Sequence, residues 1–244
     1  MIFVIIILAA TLLAALFFAR RDKQILKEYE TIHIDEIVLA EEVKFFAELP
    51  ENKQKLFIDD MQDFLSRVKI TGVDTTVETL DIYLIAAGAI IPVFNFPNWK
   101  YYNLKEVLLY SDAINTQFES KEAEERNILG MVGTGYLNGK MLISKPALRH
   151  SFENKTDKQN TVIHEFIHLI DKADGAADGL PEAVLNNQFI LPWTDLIQKE
   201  MRNIYNEQSD IDSYALVNQA EFFAVVGAYF FERPDLLEEK HPQI

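Results

Sequence analysis

The stretch Val162-Ile163-His164-Glu165-Phe166-Ile167-His168-Leu169-Ile170 decides how the rest of the chain is read. On a helix, positions i and i+4 lie one above the other on one face, so His164 and His168 are spaced to grip a single ion. Glu165 sits about 100° further round the axis, where its carboxylate reaches a water beside a metal rather than the metal itself. That is the place of a general base. Neutral imidazoles suit zinc, which lowers the pKa of a bound water from about 15.7 to about 7. The competing reading is an amphipathic helix whose histidines bond locally while Val162, Ile163, Phe166, Ile167, Leu169 and Ile170 form its buried face. A third ligand and a substrate platform decide between the two.

The 244 residues, 49% hydrophobic and 25% charged, are enough for one sizeable globular domain. The excess of 38 acidic over 23 basic residues gives a formal charge of −15, which repels phosphate backbones and opposes direct nucleic-acid binding. The absence of cysteine excludes thiolate metal sites, cysteine nucleophiles and disulfide scaffolds. A metal must therefore be held by histidine and carboxylate.

Residues 1–19 carry no charge and reach roughly 28 Å as a helix, enough to span a hydrocarbon core. A basic n-region and an A-x-A cleavage site are missing, which favours an uncleaved anchor over a signal peptide. Arg20, Arg21 and Lys23 follow at once and, by the positive-inside rule, keep the carboxyl-terminal side in the cytoplasm. The expectation is a single-pass protein of the inner (cytoplasmic) membrane. Residues 1–20 form its transmembrane anchor, 21–40 a juxtamembrane segment and 41–244 a cytoplasmic catalytic domain.

Helical periodicity runs over residues 24–49 until Pro50 and resumes over 51–68. Thr75 and Glu78 read as a capping box opening a third helix. Its apolar stretch, 82–94, is too short for a comfortable span and reads as a buried core helix ending near Pro92. Residues 107–110 read as a strand and 111–127 as a polar surface connection. The runs 131–137 and 140–144, joined by Asn138-Gly139, read as a hairpin. Its exposed edge, at Gly133, Thr134, Gly135 and Tyr136, is a candidate platform for an extended peptide. A plain sheet edge is the alternative.

Asp174 is the nearest acid after the histidines, but the glycine that a metzincin-like spacing requires is replaced by Asp171. The acids of 171–179 also miss the alternation of a calcium loop, and this segment reads as a turn. Glu221 is the better third ligand. It is a charge amid aromatic neighbours on a helix that runs to Phe231 and stops at Pro234, and such a charge needs a partner. Tyr214, seven residues earlier, shares its face if the helix begins that early, and its hydroxyl is then placed to donate to an oxyanion. A salt bridge for Glu221 and a packed ring for Tyr214 are the ordinary alternatives.

Five segments, in this order and spacing, resemble the Mlc titration factor A family of bacterial zinc-dependent peptidases: 162–171 (VIHEFIHLID), 174–181 (DGAADGLP), 212–215 (DSYA), 220–225 (AEFFAV) and 229–234 (YFFERP). The resemblance runs from about Leu49 to Pro242. It implies a zincin-like α+β fold, helix-rich with a small sheet. It also implies one zinc ion per chain on His164, His168 and Glu221, Glu165 as general base, and Tyr214 as transition-state donor. The substrate is then a peptide or protein. The partner implied by the family's name is a sugar-responsive transcriptional repressor, and a regulatory binding protein that captures such a partner is the rival function. Family members usually continue into another helix beyond the last segment, so apolar surface is expected around Phe222, Phe230 and Leu236.

Overall fold

A computed structural model of the chain describes residues 2–30, 32–113, 129–133, 135–153 and 157–244, with the side chains of Tyr136 and of part of the first helix excepted. The first helix, α1 (Ile2–Glu30), runs without a break through the expected anchor boundary. Among the described residues no helix is long and apolar enough to cross a membrane. Within 2–19 the described side chains are Ile7, Thr11, Leu12, Leu13, Leu16 and Phe17, and all are exposed. The far end of α1 is tied to the domain, where Asp22 Oδ1 meets Lys69 Nζ at 2.8 Å and the Tyr29 hydroxyl donates to Ile70 O at 3.1 Å.

The single helix expected over 24–49 is instead three. After α1 come α2 (Glu36–Glu42) and α3 (Lys44–Ala47). Asp35 caps α2 by accepting from the Ile37 and Val38 N–H groups, and Val43, extended at φ −111°, separates α2 from α3. Apolar periodicity survives this break because Leu39, Val43 and Phe46 all reach the core. Next, α4 (Glu51–Leu65) starts at Pro50, and its buried Phe57, Met61, Phe64 and Leu65 reproduce the expected amphipathic stripe.

The third expected helix is α5 (Thr79–Ile90), buried from Asp81 to Ile90 and followed by a 3-10 turn through Pro92. Its capping box lies three residues later than expected. Glu78 is the N-cap, and its N–H donates to Asp81 Oδ2 at 2.8 Å. The fully buried Asp81 is neutralised by Lys145 at 3.1 Å and Arg149 at 2.7 Å, as burial of a charge requires.

Four strands form one mixed sheet: β1 (Lys69–Val73), β2 (Glu106–Tyr110), β3 (Gly130–Val132) and β4 (Lys140–Ser144). Their order is β1-β2-β4-β3, with β3 the antiparallel edge. The chain is therefore α+β, helix-rich with a small sheet. The expected hairpin is present, with Val132 opposite Met141, but its tight Asn138-Gly139 turn is not. A 3-10 turn at Gly135–Leu137 lengthens the connection, and Gly139 adopts φ +83°. The connection expected over 111–127 lies mostly outside the described residues.

The rest is helical: α6 (Lys145–Glu153), α7 (Thr161–Asp171), α8 (Ile190–Tyr205), α9 (Gln219–Glu232) and α10 (Pro234–Lys240). The HEFIH helix is α7, and it runs through the middle of the core. Two glycines set how closely its neighbours approach. A Cβ at Gly88 of α5 would overlap Val162 Cγ1, and one at Gly227 of α9 would overlap Ile167 Cδ1. Gly88→Ala and Gly227→Ala are each expected to lower stability by about 1–3 kcal/mol, despite alanine's better helix propensity, because the added methyl pushes the side chains of Val162 and Ile167 out of their packed positions. Urea unfolding checks this, and an unchanged or raised midpoint for both variants defeats it.

Candidate metal centre and active site

Each side chain at the site is delivered by a capped helical turn. Asn160 caps α7 by accepting the Ile163 N–H at 2.9 Å, and its amide donates to Ser151 O at 2.9 Å. One turn on, His164 and His168 stack as neighbours, their rings edge-on at 4.7 Å and their Nε2 atoms 3.0 Å apart. Asn218 caps α9 by accepting the Glu221 N–H at 2.8 Å. Glu221 Oε2 then lies 3.1 Å from His164 Nε2 and 3.2 Å from His168 Nε2. The sequence-based pairing of two histidines with the distant Glu221 is thus realised. Among the described residues these three make up the one group of His, Cys, Asp and Glu side chains close enough to share an ion.

The donor set passes a simple test of fit. Three corners of a tetrahedron with bonds of about 2.0–2.2 Å lie about 3.3–3.5 Å apart, close to the 3.0–3.2 Å spread observed. Two imidazoles and one carboxylate, without thiolate, are also a donor set of catalytic zinc sites. Burial alone would raise the Glu221 carboxyl, but hydrogen bonds to both imidazoles outweigh it and hold it at about 2. Burial works to lower the His168 pKa, and the Glu221 and Glu165 carboxylates outweigh it and raise it.

Glu165 points elsewhere. It is buried, which raises its pKa against the opposing pull of His164 and His168, and the Val132 N–H of β3 donates to its carboxylate. Gly130 makes this contact with β3 possible: a Cβ there would stand 2.7 Å from Glu165 Cγ and 2.8 Å from Oε1. Gly130 and Val132 are neighbours of Glu165 that sequence reasoning missed, although a glycine inside a strand is a signal of close backbone approach.

The expected platform lies just past the strand. Gly133 is buried, donates its N–H to Lys140 O at 2.8 Å and accepts Lys172 Nζ at 3.1 Å. Gly135 is exposed at φ +58°. Thr134 and the Tyr136 side chain lie outside the described residues. The strand beside Glu165 is Gly130–Val132. Since Gly133 and Leu129 bond to β4 through Lys140 and Ser144, the alternating residues Gly130 and Val132 turn their backbone groups to the other side, toward Glu165.

Tyr214 is not on α9. It belongs to a separate 3-10 turn, Ser213–Leu216, whose N-cap Asp212 accepts the Tyr214 N–H at 2.8 Å. Its ring nevertheless faces His164 at 6.2 Å and is half exposed, so it borders the metal group by tertiary packing. Asp174 accepts the Glu182 N–H at 3.0 Å and the Ala176 N–H at 3.0 Å, and so serves the turn rather than the ion. That turn has its own role. Buried Asp171, its carboxyl pushed up to about 6 by burial, accepts the Gly179 N–H at 3.0 Å. Gly179, at φ +77°, packs so closely on the Gln219 backbone that no Cβ fits. The turn therefore seats the start of α9, two residues before Glu221. Of the three residues expected to leave apolar surface, Phe222 is fully buried beside Trp193, Leu236 packs on that same cluster, and Phe230 is exposed.

Comparison with known proteins shows the family of the chain. The chain is 28% identical over 235 residues to an uncharacterised protein of Synechocystis, covering 92% of this chain and 84% of the relative. It is 30% identical over 137 residues to Mlc titration factor A of Pectobacterium atrosepticum, covering 50% of this chain and 51% of that protein. The match to Mlc titration factor A of Yersinia pestis is 31% over 120 residues, 46% of this chain and 43% of the relative. The alignments thus span about half the length of the Mlc titration factors. The model of the glucose-regulated metallo-peptidase M90 family matches residues 17–244, and the chain belongs to that family.

Proposed function

We propose that the protein is a zinc-dependent peptidase in which Glu165 is the general base, Tyr214 the oxyanion donor and β3 the substrate platform. The convergence of His164, His168 and Glu221 beside a separately held Glu165 carries the reading. A zinc ion on those three donors supplies Lewis acidity and makes water ionisable near neutral pH. Glu165 takes the proton of the attacking water and passes it to the leaving amine. Its raised pKa favours the first transfer, because burial makes the carboxylate readier to take a proton. The hydrogen bond from Val132 fixes the carboxylate in place. Tyr214, across from His164, donates to the oxyanion of the tetrahedral intermediate. The backbone groups of Gly130 and the carbonyl of Val132 align an extended peptide along the edge of the sheet, with Gly133 and Gly135 just beyond it.

A membrane anchor at residues 1–19, with the catalytic domain in the cytoplasm, completes the proposal. Its support is the uncharged run followed by Arg20, Arg21 and Lys23, together with the exposed Leu12, Leu13, Leu16 and Phe17. The relatives named Mlc titration factor A support a second reading, in which the chain binds a transcriptional repressor and hydrolysis is secondary.

The full chain is expected to bind zinc near one per molecule and to cleave a chromogenic peptide panel in a chelator-sensitive way. Glu165→Gln should keep the zinc and lose about 10²–10⁴-fold in rate. Glu221→Ala should lose zinc itself, measured by metal analysis. Full activity in Glu165→Gln sinks the mechanism. Zinc without cleavage, and with repressor capture that survives Glu165→Gln, transfers the proposal to the second reading. Tyr214→Phe should lower kcat with little change in zinc content, and Gly130→Ala should do the same by displacing Glu165. Unchanged kcat in either variant removes that residue from the scheme. A carboxyl-terminal alkaline phosphatase fusion should be inactive in cells, and an active fusion would reverse the assigned topology.

A further inference from the structure

A groove of about 520 Å³ lies away from the metal group, where α2 and α3, the turn after α5, the end of α6 and the end of α9 come together. Phe45, Phe152, Phe230 and Phe231 are among its walls. Phe230 is half exposed and Phe96, on the rim, is 43% exposed. Its volume falls within the range of ligand-binding clefts. Its charges are three carboxylates, Glu42, Glu48 and Glu232, against the single ammonium of Lys44. Lys44 is paired with Glu48 at 3.8 Å, which leaves a net negative apolar cleft.

Glu232 is the telling member. It is the last residue of α9, it is half-buried, and it accepts the Asn160 amide at 2.8 Å. Among the described residues it forms no ion pair with a cationic side chain. Burial pushes its carboxyl up to about 7, outweighing the Asn160 hydrogen bond and the more distant pull of Lys44, the condition of an acid held in an apolar wall. A cationic group beside Glu232, with an apolar side chain seated among the phenylalanines, satisfies both features of the cleft. Neither feature alone specifies such an occupant.

We propose that this groove is a docking site for a peptide segment of a partner protein that presents lysine or arginine next to a large apolar residue. Such a segment buries its apolar part against Phe230 and Phe231 and pairs its cation with Glu232, with Glu42 as a second carboxylate. The groove is walled by Ile163 of α7, and its Glu232 accepts the amide of Asn160, one turn before His164. A bound segment therefore rests on the amino-terminal end of the helix that carries the metal ligands. The site does not depend on the peptidase reading, since none of its residues is a metal ligand or takes part in hydrolysis.

The test uses the full chain in phosphatidylcholine nanodiscs and fluorescence polarisation of a labelled peptide alternating lysine and leucine. Matched peptides of glutamate and leucine, and of lysine and serine, serve as comparisons. Chelator is present throughout, so that capture at the metal centre is excluded. Binding of the lysine and leucine peptide alone is expected, and it should weaken about tenfold or more in Glu232→Gln and in Phe230→Ser. The glutamine retains an acceptor for Asn160, and Phe230 lies at the surface, so both variants should fold. Circular dichroism checks that they do. Equal affinity for all three peptides, or equal affinity of wild type and both variants, overturns the proposal. Concentration-dependent dimerisation abolished by Phe230→Ser, with no peptide bound, overturns it in favour of a second copy as the occupant.

Discussion

The rest of the structure depends on how closely three backbone segments approach α7. Gly88 of α5 lies against Val162, Gly130 of β3 against Glu165, and Gly227 of α9 against Ile167, and at each a Cβ would collide. A helix packed through ordinary side chains keeps its neighbour's axis about 8–10 Å away. Removing the side chain at the contact permits closer approach. The approach of α9 brings Glu221 to the two imidazoles, and the approach of β3 brings the Val132 N–H to Glu165. A glycine inside a helix costs roughly 0.5–1 kcal/mol relative to alanine, and here that cost accompanies the contacts that assemble the site.

Capping supplies the second level of placement. His164 lies one turn beyond its N-cap Asn160, Glu221 three residues beyond Asn218, and Tyr214 two beyond Asp212. Helix ends fray where their first N–H groups lack acceptors, so a functional group in the first turn inherits the order of its cap. Each cap contributes on the order of 1 kcal/mol. The Asp171 and Gly179 turn adds a restraint on the start of α9 that does not pass through the helix itself. Glu221 is therefore fixed from both its cap and its flank. Two imidazole nitrogens 3.0 Å apart need that rigidity to stay convergent.

How much of this was legible in the sequence varies with the range of the interaction. His164, Glu165 and His168 share one helix, so their relation follows from helix geometry alone. Glu221 was accessible because a charge amid Phe222, Phe223 and Ala224 has no solvent to stabilise it. Tyr214 was placed near the site by periodicity on a helix that does not extend that far. It reaches His164 through a 3-10 turn and tertiary packing, which no periodicity encodes. The break at Val43 was hidden because apolar residues flank it on the same buried face, so the hydrophobic pattern continues where the backbone does not. Asn138-Gly139 signalled a tight hairpin, yet the longer connection through Gly135–Leu137 prevailed. The capping box was displaced because Asp81 is paired with Lys145 and Arg149, residues more than sixty positions away.

The metal group and the acidic groove occupy different parts of the same two helices. Glu221 stands in the first turn of α9 and Glu232 at its end, about 16 Å further along a straight helix. Asn160 caps α7 through its carbonyl oxygen and holds Glu232 through its amide. One side chain thus joins the end of α9 to the start of α7, while Gly227 and Ile167 join the two helices between those points. The pair behaves as a closed frame. The tight packing at Gly227 leaves little room for independent sliding, because interiors at native density shift as units. The frame therefore fixes the end of α9 that carries Glu232 against the helix that carries His164 and His168.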